Sequence, residues 1–108
     1  MRIVHNGTCT MQCSVFDDIR IAKTTGFDGI EIIGPKLDRA AAIGYPIERV
    51  KRELDGFPVV AVAFVPDIDR HEPADHAALL DEARIRFAQA KSLGADRVAC
   101  SLHARRAS

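Results

Sequence analysis

The sequence predicts a parallel α/β fold of order βαβαβαβ, with four strands and three main helices within 108 residues. Three observations carry this. First, a unit made of an amphipathic stretch, a glycine and a short β-branched run recurs three times, over residues 22–33, 52–64 and 90–102. Gly26, Gly56 and Gly94 stand where a helix closes on a left-handed residue before a strand. Second, the runs that follow these glycines are rich in Val and Ile and poor in charge, as strands covered on both faces are. Third, successive strands begin ~26, ~30 and ~38 residues apart, which leaves room for crossover helices and is too long for hairpins.

The elements follow in order. Residues 2–6 read as the first strand. Ser14 and Asp17 form a capping-box variant that starts the first helix at Val15, and Val15, Ile19 and Ala22 keep the 3.6-residue period. Asp17 and Asp18 suit its positive end. The second strand is Gly29–Ile33, and residues 35–45 read as a loop with at most a short helical turn. Pro46 suits a first helical turn, after which Ile47, Val50 and Leu54 line one face to about residue 55, with Glu48 and Arg52 paired outside. The third strand is Val59–Val65. Asp75 then reads as the cap of the longest helix, whose Leu79, Leu80, Ala83, Phe87, Ala90 and Leu93 recur on one side. Residues 97–102 make the fourth strand, so residues 1–102 form the domain and 103–108 a flexible tail.

Composition narrows the function. Fifteen Lys and Arg balance fifteen Asp and Glu, so no basic field draws in nucleic acid or an anionic membrane. The longest uncharged apolar stretch, residues 58–66, is far shorter than the ~20 residues a spanning helix needs. The opening residues hold only a two-residue apolar run, Ile3 and Val4, which is no secretory leader, and three Cys without one point to reduced thiols and the cytoplasm. A domain of this length buries roughly two-thirds of its unfolded surface, so its core needs no disulfide. No G-x-G-x-x-G follows a strand, no G-x-x-x-x-G-K-[ST] occurs, and Ser14 and Ser101 lack a nucleophile-elbow context.

Three phrases in order, Gly26-Phe27-Asp28-Gly29-Ile30-Glu31-Ile32, Val59-Val60-Ala61-Val62-Ala63-Phe64 and Leu93-Gly94-Ala95-Asp96-Arg97-Val98, make residues 1–102 similar to the xylose isomerase-like TIM barrels. That broad family includes sugar and sugar-phosphate isomerases and epimerases. The resemblance implies half of a TIM (β/α)8 barrel, since a full one has eight strands and ~250 residues. It also implies a sugar or polyol substrate and, in the complete barrel, a divalent metal held by carboxylates and a His on the later strands. The chain itself is expected to bind no cofactor and to be inactive alone. A half-barrel leaves its first and fourth strands as open edges, which predicts self-association through them. The alternative is a non-enzymatic half-barrel or a flavodoxin-like open sheet that self-associates or binds a small ligand.

In a parallel α/β fold ligands bind at the C-terminal strand ends, so residues 8–13, 31–36, 64–76 and 100–105 share one rim. Glu31 is the first candidate, because an ionised carboxylate inside the apolar run 30–33 needs a partner or a polar cavity. Its bland counterpart is a structural carboxylate bonded to loop N–H groups or to a basic side chain. Phe64 and Ile33 are candidate apolar walls for a polyol's carbon face, and Cys9 and His103 complete the predicted substrate-binding set with Glu31 and Phe64. His103 reads more readily as a tail residue. Cys9 and Cys13 are spaced C-x3-C without a matching pair, which defines no metal site. Residues 67–76 gather Asp, Glu, His71 and His76 at no defined metal spacing and read as a solvated loop leading into a helix. His5 reads as a hydrogen-bonded core histidine.

Overall fold

The computed structural model describes residues 3–65 and 72–100. The chain runs β1 (Val4–Asn6), a 3-10 turn (Gly7–Thr10), α1 (Val15–Thr24), β2 (Gly29–Ile33), α2 (Gly34–Ala42), α3 (Ile47–Leu54), β3 (Val59–Val65), α4 (Pro73–Ser92) and β4 (Val98–Cys100). The four strands form one parallel sheet in the order β1-β2-β3-β4. Each strand thus lies beside its predecessor, with one helical crossover between them. A flavodoxin-like sheet reverses its strand order and carries helices on both faces. This sheet does neither: one apolar cluster joins Ile30, Ile32, Val59 and Val62 to residues of all four helices, so the helices share one face.

Local chemistry accounts for most element ends. The Ser14 hydroxyl accepts the Asp17 amide at 3.1 Å, which fixes the start of α1 where the capping pattern places it. Gly26, Gly56 and Gly94 all have φ near +80°, the left-handed geometry expected at the helix-to-strand turns. The core is built from Val15, Ile19 and Ala22 of α1, Ile30 and Ile32 of β2, Leu37 of α2, Val50 and Leu54 of α3, and Val62 of β3.

Five expectations need correction. Residues 35–45 are mostly helix, so the described residues hold four α-helices and not three: α2 turns Leu37 and Ala40 into the core. Its opening Gly-Pro reads as punctuation, although a proline at the first positions of a helix costs no hydrogen bond. The long helix begins at Pro73, with Glu72 before it, so Asp75 sits in its first turn and does not cap it. Pro46 is the N-cap of α3 and lies outside its first turn. The outer ion pair of α3 is Arg49–Glu53, at 3.3 Å, rather than Glu48–Arg52. Finally, Leu80 and Phe87 do not face the sheet; they are 56% and 59% exposed, and Ala90 is the buried residue of α4. Arg86 and Gln89 turn inward instead and tie α4 to α2 through Asp38, with Arg86 at 2.9 Å and Gln89 at 2.8 Å.

Among the described residues β1 is Val4–Asn6 and β4 is Val98–Cys100, while residues 2, 101 and 102 of the expected strands 2–6 and 97–102 lie outside them. The tail 103–108 and residues 67–71 of the 67–76 stretch, His71 included, lie outside the described residues. No helix among the described residues is long and apolar enough to cross a membrane.

Candidate functional site

β2 alternates its side chains between two environments. Ile30 and Ile32 enter the helix-side core, so Glu31 and Ile33 take the opposite face, which carries no helix. Asn6 of β1 and Ala61 of β3 are level with Glu31 in the sheet register and share that face. Ala61, on the β3 side, is buried.

Asn6 and Glu31 are bonded to each other, with Asn6 Nδ2 donating to Glu31 Oε2. The Asn6 amide has no freedom to flip. Its Oδ1 accepts the Thr8 backbone N–H at 2.8 Å and the Thr8 hydroxyl at 2.7 Å, which leaves the NH2 group for Glu31. Glu31 is half-buried, and its second carboxylate oxygen has no partner among the described residues. A fixed carboxylate with one free, partly exposed oxygen accepts a hydrogen bond from a hydroxyl-bearing ligand without rearranging.

Behind this pair stands a buried polar clasp. The Lys36 ammonium, on the first turn of α2, donates to Gly7 O at 3.1 Å, Thr10 O at 2.7 Å and Asp18 Oδ2 at 2.6 Å, which uses all three of its protons. Asp18 also accepts the Thr10 hydroxyl. His5 Nε2 lies 3.2 Å from Thr10 Oγ1 and 3.8 Å from Asp18 Oδ1, and its ring meets the Phe27 ring at 63°. Asp18 and Lys36 are 1% and 2% exposed. The clasp ties the turn after β1 to the starts of α1 and α2, and that turn holds Asn6 through Thr8. Gly7 is required here, because a Cβ would come within 2.7 Å of Ile33 Cγ1 and 3.1 Å of Asp18 Oδ2.

The structure therefore gives Glu31 a neighbour that sequence reasoning missed, Asn6, together with a supporting pair, Asp18 and Lys36, that it read as a surface helix end and a loop residue. The signal for Asn6 was its place at the end of the first strand; for Lys36 it was only its position just past the second. Phe64 is half-buried near the end of β3, three residues beyond Ala61. Cys9 falls in the Gly7–Thr10 turn, and His103 lies outside the described residues. His5 is buried and hydrogen-bonded, as the core reading has it. Cys13 and Cys100 are free thiols, and His76 lies exposed in the first turn of α4.

A groove of about 410 Å3 between α1 and α3, lined by Phe16, Tyr45 and Arg49 among others, belongs to the helix layer and not to the face of Glu31. Among the described residues no three His, Cys, Asp or Glu side chains gather closely enough to hold a metal ion.

Parallel strands in sequential order, all helices on one side and a polar pair on the other are what the first part of a (β/α)8 barrel presents. Comparison with solved structures agrees. The chain superposes on the IolI protein, solved with a zinc atom, at a TM-score of 0.80 and 17% identity, over 94% of this chain and 38% of that one. It superposes on a fusion of a xylose isomerase-like TIM barrel with 4-hydroxyphenylpyruvate dioxygenase at 0.70 and 19% identity, over 97% of this chain and 17% of that one. The fold is part of a (β/α)8 barrel. The chain thus spans well under half the length of these barrel proteins. No protein-family model and no curated protein matches the sequence. In barrel terms, the helix-free face with Asn6 and Glu31 is the inner wall, and the turn held by Lys36 belongs to the rim after the first strand.

Proposed function

We propose that this chain is the ligand-facing first part of a sugar-phosphate isomerase/epimerase-type barrel, in which Glu31 accepts a hydroxyl of a ketose or polyol and Asn6 fixes the carboxylate. The observation that carries the reading is the Asn6–Glu31 pair on the inner wall, with a carboxylate oxygen left free. Phe64 supplies an apolar surface near the same strand ends, and Cys9 and His103 are further candidates on that rim. The IolI protein was solved with zinc, and the complete barrel is the place for such an ion. In this reading the metal-assisted proton transfer belongs to the later strands of the complete barrel. The isolated 108 residues bind weakly, turn nothing over, and work in the cytoplasm with their thiols reduced.

The test is a nuclear magnetic resonance titration of the purified chain with a ketose phosphate and with the corresponding polyol. Saturable shifts at Asn6, Glu31 and Ile33 that vanish in Glu31→Ala are expected; no shift at this face, or shifts unaffected by the substitution, would overturn the reading. Robust metal-dependent isomerisation by the chain alone would overturn the claim of inactivity. The second reading, a non-enzymatic module, is favoured by the open edges of β1 and β4, and turnover-free ligand binding by a full-length homologous barrel would support it.

A further inference from the structure

We propose that Asn6 is a self-modifying site: the folded turn keeps it an amide, and when that turn comes loose it converts to aspartate or isoaspartate, whose carboxylate disables its partner Glu31. For the effect on ligand binding the inference rests on the reading of Glu31 given above; the chemistry at Asn6 does not.

The first observation is which residue follows. Asn6 is the only asparagine in the chain, and Gly7 comes directly after it. Glycine has no side chain to shield its backbone nitrogen and turns freely, so that nitrogen can reach the carboxamide carbon before it. The site demands both residues. Position 6 needs an acceptor for Thr8 and a donor for Glu31 at once, and a carboxylate has no proton to donate. A Cβ at position 7 would come within 2.7 Å of Ile33 Cγ1. The conversion needs only water. The Gly7 nitrogen, its proton taken by hydroxide, attacks Asn6 Cγ; a C–N bond closes a five-membered imide, the Cγ–Nδ2 bond breaks, and ammonia leaves with a proton from water. Water then opens the imide at Cγ to give aspartate, or at the backbone carbonyl carbon to give isoaspartate. In sum, carboxamide and water become carboxylate and ammonium, with nothing oxidised or reduced.

The second observation is the guard. The imide closes only when Cβ eclipses the Gly7 nitrogen about the Cα–C bond, which for an L-residue requires a strongly negative ψ. Asn6 stands extended instead, at φ −103° and ψ 124°. Its carboxamide is pinned at both ends, the oxygen by the Thr8 N–H and hydroxyl and the nitrogen by Glu31. Lys36 holds the Gly7 carbonyl at 3.1 Å and so anchors the residue that carries the attacking nitrogen. Cyclisation therefore waits on loss of these bonds. Asn6 is half-buried on the helix-free face, so water reaches it once they are gone. After conversion the pair cannot re-form. A carboxylate at position 6 has no N–H for Glu31 and sets a second negative charge beside the first. Isoaspartate also adds a carbon to the backbone where β1 enters its turn.

The test incubates the purified chain at mildly alkaline pH, folded and in denaturing guanidinium, and follows the mass gain of an amide-to-acid change by mass spectrometry, with peptide mapping to place it at Asn6. Isomerisation at Asp28-Gly29 or Asp55-Gly56 changes no mass and does not interfere. The unfolded chain should convert at least roughly tenfold faster than the folded one, since the rate follows the population of the loosened turn. Thr8→Val and Lys36→Met should fall between, with circular dichroism as the control for folding. The converted chain, separated by its added charge, and Asn6→Asp should both unfold at lower urea than the parent, and Glu31→Gln should recover part of the loss in Asn6→Asp by supplying a donor. No mass gain in guanidinium, equal rates folded and unfolded, a folded Thr8→Val no faster than the parent, or an Asn6→Asp chain as stable as the parent would overturn the proposal.

Discussion

Lys36 and Asp18 show how much one buried pair can carry. Their attraction is set against the cost of removing two charges from water, and the two backbone carbonyls held by Lys36 tip that balance toward the folded state. Lys36→Met leaves Asp18 charged and buried without its main partner. We expect a loss of about 3–5 kcal/mol in urea unfolding, with Asp18→Leu similar and the double variant recovering a large part. Full additivity of the two losses would show that they do not act as a pair. In sequence this network is invisible, because Asp18 and Lys36 each resemble the solvated charges that most Asp and Lys are, and only the folded chain brings them together across eighteen residues. Glu31 was legible for the opposite reason: a lone carboxylate among three isoleucines already implies a polar surrounding.

The helices divide by how their sequence signals compete. α1 was legible to the residue because cap, acidic first turn and apolar period agree at Ser14, Asp17 and Val15. α2 was hidden, since its buried stripe amounts to little more than Leu37 and Ala40 beside the buried Lys36, and Gly34-Pro35 resembles a turn. α4 misled by its richness: apolar residues all round it fit several stripes, and the tie between Arg86 and Asp38 decides which one faces inward. Stability measurements separate these cases. Leu37→Ala should cost about 2–4 kcal/mol, because the side chain is 4% exposed within the core. Ile85→Ala, on an outer flank of α4, should stay within about 0.5 kcal/mol. Equal losses at the two positions would contradict the orientation of α4.

For the molecule as a whole, parallel topology and sequential strand order were legible from three helix-glycine-strand units, since their spacing permits little else. The inner wall was legible only in part, because which residues share it depends on register, including the shift between Ile30 and Glu31. β2 and β3 are flanked on both sides, whereas β1 and β4 each have one neighbour. Amide hydrogen exchange should therefore be slowest at Ile32 and Val62 and markedly faster along β1 and β4; uniform protection across the four strands would mean that both edges are covered in solution. The clasp has one more consequence, for chemical labelling. The chain has four lysines, of which Lys23, Lys51 and Lys91 lie on the surface while Lys36 spends every proton on an internal acceptor. An amine-acylating reagent should modify the three quickly and reach the fourth only when the first turn lifts away from α2, so the rate of modification at that single amine is a built-in clock for the opening of the rim.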